Sequence, residues 1–189
     1  MPDNPFEAGL PTLEAERVLL RRLTPGDDAG LLRVFGDAET MQWWSHGPFT
    51  DLAAATTYRE RIDYGLRSRS LFQWGIVARD GGLLMGTCTL SDWSSTHRRA
   101  ELGYILHRDH WGQGLASEAV RAVLDFGFGT MRLHRVEADV DPENTASIAL
   151  VERLGFNREG YLRERWWPHG TPQDSLIFGL LATDWPPAP

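Results

Sequence analysis

The run Trp111-Gly112-Gln113-Gly114-Leu115-Ala116-Ser117-Glu118 carries the chain's most explicit chemistry. Two glycines and a small residue stand where a predicted strand gives way to a predicted helix. A turn of this kind leaves several backbone N–H groups without acceptors and aims them at one point. The start of the helix adds partial positive charge, so the point suits a phosphate or pyrophosphate. The neighbouring elements decide which phosphate-bearing ligand it takes.

Those elements are read from periodicity and turn chemistry. Residues 1–12, rich in Pro, Gly and acids, read as a loose arm. Arg17 to Leu23 reads as a strand, with Val18, Leu20 and Leu23 its apolar positions. Thr24-Pro25-Gly26-Asp27 opens a helix to about Phe35: Thr as N-cap, Pro first in the helix, Asp three residues after the cap. After a loop over 36–49, Thr50 caps a second helix through about Arg67. Leu71 to Ala78 and Leu83 to Leu90 are strands around the hairpin signal Asp80-Gly81-Gly82. The polar segment 91–97 turns the chain, and Arg99 to Leu106 is the next strand. Leu115, Ala116, Ala119, Val120, Val123 and Leu124 mark one helix face, with Ser117, Glu118, Arg121 and Asp125 outward. His134 to Val140 is a strand. Asn144 caps a short helix that ends at Gly155. Phe156 to Trp167 and Ser175 to Leu181 form a closing hairpin. The predicted order is β-α-α-β-β-β-α-β-α-β-β, with no internal repeat and no interdomain linker.

This order separates the phosphate readings. A P-loop needs Gly-x4-Gly-Lys-[Ser/Thr], which the chain lacks. Gly112-x-Gly114-x-x-Ser117 mimics a dinucleotide fingerprint, with Asp139 past the next strand. That fold, however, wants the motif on the first strand of a β-α-β-α-β repeat. Here the β-α-β unit is single and an antiparallel hairpin precedes it.

Composition narrows the class further. At 189 residues, 42% hydrophobic and 24% charged, the chain reads as one soluble globular domain. It has no apolar run of membrane-spanning length and no secretory leader. Its single cysteine, Cys88, fits a reducing cytoplasm and excludes an internal disulfide framework. Net charge −7 argues against nucleic acid and favours a cationic partner. The six histidines show no metal spacing, so no metal is expected. Cys88 sits mid-strand between two threonines and reads as a small buried hydrophobe, not a nucleophile. Eight tryptophans are many for this length. The doublets Trp43-Trp44 and Trp166-Trp167 resist burial on both sides, so one ring of each is expected to line a cleft.

Three segments resemble the GCN5-related N-acetyltransferase (GNAT) superfamily, and within it the RimJ/RimL branch that acetylates ribosomal-protein N-termini. The first is Ala100-Glu101-Leu102-Gly103-Tyr104-Ile105-Leu106 followed by Trp111 to Ala119. The second is Asn144-Thr145-Ala146-Ser147 with Leu154-Gly155-Phe156. The third is Asp174 with the closing Asp184-Trp185. The family pattern at the turn is Arg/Gln-x-x-Gly-x-Gly/Ala. This chain keeps Gly114 and Ala116 and has Trp111 in the first place. The resemblance covers about residues 13–185. It implies an α/β (α+β) fold with a mixed, mostly antiparallel twisted sheet of about seven strands and about four helices.

The resemblance also implies roles. Acetyl-CoA is the expected cosubstrate, its pyrophosphate on Gly112, Gln113, Gly114, Leu115, Ala116 and Ser117, with Leu106, Asn144 and Ser147 as further contacts. For the pantetheine arm to pair with residues 104–107, strands 100–106 and 134–140 must splay near the turn. A primary amine would attack the thioester directly in a ternary complex. An α-amine, with a pKa near about 8, needs far less help to become neutral than a lysine near about 10.4. Glu101 is the first candidate base, with Asp92 and His46 weaker ones. Ser147 is the candidate proton donor to the leaving thiolate, for which Tyr104 or Tyr161 could substitute. Trp43, Trp44, His46, Trp93 and Trp166 are candidate walls of the acceptor slot. The acceptor is a protein N-terminus or a small-molecule amine. A non-catalytic acyl-CoA-binding module is the reading from another class. Similar proteins are often homodimers.

Overall fold

Alternating apolar residues and well-placed caps divide the chain into the elements of a single sheet with helices on both faces. The computed structural model describes residue 6, residues 9–79 and residues 81–186. The strands are β1 (Leu13–Glu14), β2 (Val18–Arg21), β3 (Leu71–Ala78), β4 (Leu84–Ser94), β5 (Arg99–Leu106), β6 (Arg135–Val140), β7 (Asn157–Trp166) and β8 (Gln173–Leu181). The helices are α1 (Asp28–Gly36), α2 (Leu52–Ser68), α3 (Leu115–Gly129) and α4 (Thr145–Arg153). They form an eight-stranded sheet in the order β1-β2-β3-β4-β5-β6-β8-β7. Every neighbouring pair is antiparallel except β5 and β6.

The expected mixed sheet with four helices is present, with one strand more than the seven expected. The extra strand is β1, two residues paired with Leu19 and Leu20 and too short to leave a periodic signal. β4 runs on to Ser94 through the segment expected to turn. It does so through a register shift, with Asp92 in the left-handed region at φ 50°. A polar sequence can continue a strand where a bulge re-aims it. Helix α2 is capped by Asp51, whose carboxylate accepts the Ala54 N–H at 2.9 Å, not by Thr50. The Thr24 turn forms as read, with the Asp27 carboxylate accepting the Thr24 N–H and hydroxyl at 2.8 and 2.9 Å. It closes a 3₁₀ turn over Pro25–Asp27, and α1 follows. The predicted loose arm is tied at Phe6, which is buried and stacks on Phe72 with ring centroids 4.0 Å apart. Residues 1–5, 7 and 8, and Asp80 of the hairpin signal, lie outside the described residues.

The sheet separates two apolar clusters. Val120, Val123 and Leu124 of α3 and Val151 of α4 pack on one face with Ala100, Leu102, Leu106, Val136, Ala138 and Val140. Leu31, Val34 and Phe35 of α1 and Ala55 and Ile62 of α2 pack on the other with Val77 and Ile105. Strand alternation therefore places Glu101 on the α1–α2 face and Tyr104 on the α3–α4 face of the same strand. α1 and α2 are joined by Asp28 and Arg59, both nearly buried. Arg59 Nε donates to Asp28 at 2.6 Å and the Thr56 hydroxyl donates to the same carboxylate at 2.8 Å.

Candidate active site

β5 and β6 run side by side only at Arg99–Arg135, Ala100–Val136 and Glu101–Glu137. Beyond Glu101 the two strands part, while β5 stays paired with β4 as far as Leu106. The sheet thus opens a notch at its centre, bordered by residues 102–106 and 138–140. The expected splay lies here.

The glycine turn stands at the end of β5. Gly112 and Gly114 both adopt left-handed backbone, at φ 70° and 78°. A Cβ on Gly114 would also meet Arg17 Nη2 at 3.4 Å. Among the described residues, no acceptor receives the N–H groups of Gly112, Gln113, Gly114, Leu115, Ala116 or Ser117. Consecutive free N–H groups in this conformation, ending on a 15-residue helix, form a concave donor set for a phosphate group. The turn is held from outside by side chains that leave those donors clear. The Trp111 indole N–H donates to the Leu106 carbonyl at 2.6 Å, which occupies the Leu106 oxygen and gives Trp111 a structural role in the loop. Gln113 donates to the Asp109 carbonyl at 3.2 Å, and Arg17 donates to the Gln113 carbonyl at 2.9 Å. Arg17 Nε also pairs with Glu118 at 2.9 Å, and Glu118 accepts the N–H groups of Arg17 and Val18. Glu118 is therefore a clamp between β2 and the first turn of α3, not the outward residue expected. A Glu in the first turn of a helix was the available signal, but its partner lies a hundred residues earlier in the chain.

On the α3–α4 side of the notch, Asn144 caps α4 as read, its side-chain oxygen accepting the Ser147 N–H at 3.0 Å. The Ser147 hydroxyl lies 2.6 Å from the Tyr104 hydroxyl, so the pair bridges α4 and β5. Burial pushes the Tyr104 phenol up to about 12, so it stays protonated at neutral pH. Tyr161 lies elsewhere, on the exposed β7, where its hydroxyl donates to Asp174. Cys88, opposite Tyr104 on β4, is fully buried and its thiol is pushed up to about 12. It is a packed side chain and no thiolate at neutral pH.

On the opposite face, a cavity of about 220 Å³ is lined by Glu101, Glu137, Ala138, Asp139, Leu162, Arg165 and Ile177. Its acids differ in their partners. Glu137 is paired with Arg135 at 2.8 Å and Arg99 at 3.0 Å. Asp139 accepts from Arg165 Nε at 2.8 Å, the Trp166 indole at 3.1 Å and the Ser175 hydroxyl. The Glu101 carboxylate has neither ion pair nor hydrogen bond among the described residues. Burial first, then the charges of Asp139 and Asp92, raise its pKa above the usual carboxylate value, with Arg165 opposing.

Of the expected acceptor residues, only Trp166 touches a wall of this cavity, through Asp139. Trp93 packs in the core beside Phe6 and Phe72. Trp44 lies edge-on to Phe35, and His46 stacks on Phe49 with its Nδ1 2.9 Å from the Gly47 carbonyl. Trp43 is half-buried in the same loop. Asp92 is exposed on the β4 bulge. Asp139 and Arg165 were not singled out for the acceptor side. Their meeting depends on β8 lying between β6 and β7 and on the irregular Leu162–Trp166 stretch of β7 reaching back to Asp139, which no local pattern announces.

Comparison with known proteins agrees with this architecture. The acetyltransferase (GNAT) domain family model matches residues 17–157. The uncharacterized N-acetyltransferase p20 of Bacillus licheniformis is 37% identical over 175 residues, covering 92% of this chain and 98% of its own. Spermidine N(1)-acetyltransferase of Escherichia coli is 26% identical over 86% of this chain and 84% of its own. Among solved structures, Mycobacterium smegmatis RimJ in complex with CoA-disulfide has a TM-score of 0.82 at 26% identity, covering 95% of this chain and 91% of that one. A split sheet with a bare glycine turn at its mouth and these end-to-end similarities lead to one conclusion: the chain belongs to the GNAT acetyltransferase family and is similar to its RimJ-like branch.

Proposed function

We propose that this protein is an acetyl-CoA-dependent N-acetyltransferase that acts on a primary amine by direct attack in a ternary complex. The observation that carries this reading is the notch itself. An unpaired carboxylate of raised pKa flanks it on one face, and a hydroxyl pair flanks it on the other. The donor set at its mouth fits a pyrophosphate, and the parted strands leave room for a linear amide-bearing arm. Gly112 to Ser117 would hold the phosphates, with Asn144 and Ser147 bordering the arm. When bound, acetyl-CoA supplies an activated acetyl thioester.

Every further step belongs to the chain's own residues. Glu101 takes a proton from the ammonium of the acceptor, directly or through a water, and leaves a neutral amine facing the notch. The C–N bond forms as the C–S bond breaks. The Ser147 hydroxyl, held in place by the Tyr104 hydroxyl, gives the sulfur its proton and recovers one from solvent. Glu101 passes the first proton to solvent and then takes the second amine proton, which follows the same route and restores the carboxylate. Base and acid stand on opposite faces of one strand, so amine and thiol are handled from opposite sides of the reacting carbon.

The RimJ-like resemblance favours an α-amine as acceptor, and the spermidine-acetylating relative favours a polyamine as the second reading. Replacing Gly114 with Trp tests the cofactor placement. The G114W protein is expected to lose acetyl-CoA binding in calorimetry while keeping its circular dichroism. Retained affinity would remove the pyrophosphate from this turn.

A further inference from the structure

Arg165 closes the wall of the cavity that holds Glu101, yet its guanidinium is only partly used. Its Nε donates to Asp139 at 2.8 Å, and its Cζ lies over the Trp166 ring, 5.5 Å from the centroid. Asp139 is itself fixed by Trp166 and Ser175, so the arginine is anchored at its base and sits over the Trp166 ring. Nη1 and Nη2 have no partner among the described residues. A fork with both ends free, beside an unpaired carboxylate, is a two-point site. The carboxylate suits an ammonium, and the fork suits an oxygen acceptor, above all a carboxylate.

We propose that Arg165 is a specificity-determining residue that selects acceptors whose reactive amine sits on a carbon next to a carbonyl or carboxylate oxygen. This rests on the acetyltransferase reading of the site and narrows it to one acceptor class. A free amino acid and a peptide N-terminus share this chemistry. A polyamine does not: it brings no oxygen to the fork and sets a second cation against it. A site built to hydrogen-bond a substrate group rejects analogues that lack it, because its donors are left unmet. The remaining lining side chains, Leu162 and Ile177, are apolar and suit a small side chain on the same carbon.

The test compares free alanine, an alanine-initiated peptide and spermidine as acceptors for wild-type protein, Arg165→Ala and Arg165→Lys. The wild type is expected to prefer one or both alanine acceptors. Preference for the free amino acid assigns the fork to a carboxylate, and preference for the peptide assigns it to the first carbonyl. In R165A the ratio of kcat/KM for the alanine acceptor to that for spermidine should fall ~10–100-fold, mainly through KM. R165K, which keeps charge without the fork, should recover only part of the loss. Calorimetric binding of the alanine peptide to the protein with CoA bound should weaken by the same ~10–100-fold in R165A, whether or not turnover is seen. An unchanged ratio with unchanged binding, or a wild-type preference for spermidine, overturns the proposal. Absence of turnover on every amine with binding still sensitive to Arg165 overturns the catalytic reading instead.

Discussion

At the scale of single residues, the proposed mechanism divides its chemistry between Glu101 on one face of β5 and the Ser147–Tyr104 pair on the other. Glu101 is the acid of the cavity without a cationic partner, and its pKa is raised by burial and then by Asp139 and Asp92. A raised pKa means that the base form appears only as pH climbs past the ordinary carboxylate range. The acid limb of kcat/KM is therefore expected above about 4.3, the value of a free glutamate. Glu101→Gln should remove that limb and lower kcat/KM by ~10²–10⁴-fold, with acetyl-CoA affinity unchanged. A limb that survives in E101Q would assign the proton to another group. The Asn144 cap and the left-handed glycine turn were legible in the sequence because each is a short local pattern. Arg165 and Asp139 were not, because their roles arise from long-range pairing. Ring size alone does not tell Trp166, which touches the cavity wall, from Trp93, which packs against Phe6 and Phe72.

At the scale of elements, the split between β5 and β6 makes the site, and the helix pair α1–α2 walls one face. That pair depends on an ion pair, since burial disfavours ionised Asp28 but hydrogen bonds from Arg59 and Thr56 outweigh it and hold the carboxyl below its usual range. Asp28→Ala removes the hydrogen-bonded partner of Arg59 and leaves it only the 3.6 Å contact with Asp63, so it is expected to cost about 1.5–3 kcal/mol in urea unfolding. With a lowered folded-state pKa, the wild-type contribution is complete above the unfolded value of about 3.9 and fades as pH falls through the folded one. The difference between wild type and D28A should accordingly shrink only in acid below that value; a difference that shrinks already near neutrality would contradict the assignment. The bounds of β3 and β5 agree with the sequence pattern because turn residues flank both. β4 was cut short by its polar end, where a bulge carries pairing on through Ser94.

At the scale of the whole molecule, Phe6 and residues 9–12 pack against the fold. Phe6 stacks on Phe72 and lies edge-on to Trp93 and Phe126, and the Trp74 indole donates to the Pro11 carbonyl at 2.7 Å. A Pro- and acid-rich composition hid this, since a single aromatic anchor leaves no periodic signal. Phe6→Ala should lower Tm by roughly 6–20 °C, read by calorimetry, whereas an unchanged Tm would return the segment to a loose arm. No helix among the described residues is long and apolar enough to cross a membrane. The central claim concerns acetyl transfer across the notch, and product mass tests it most directly. Wild-type protein incubated with acetyl-CoA and an alanine-initiated peptide is expected to release free CoA thiol and to yield peptide carrying one acetyl group on its α-amine. Tight binding of acetyl-CoA with no acetylated product from that peptide, from free alanine or from spermidine would contradict it.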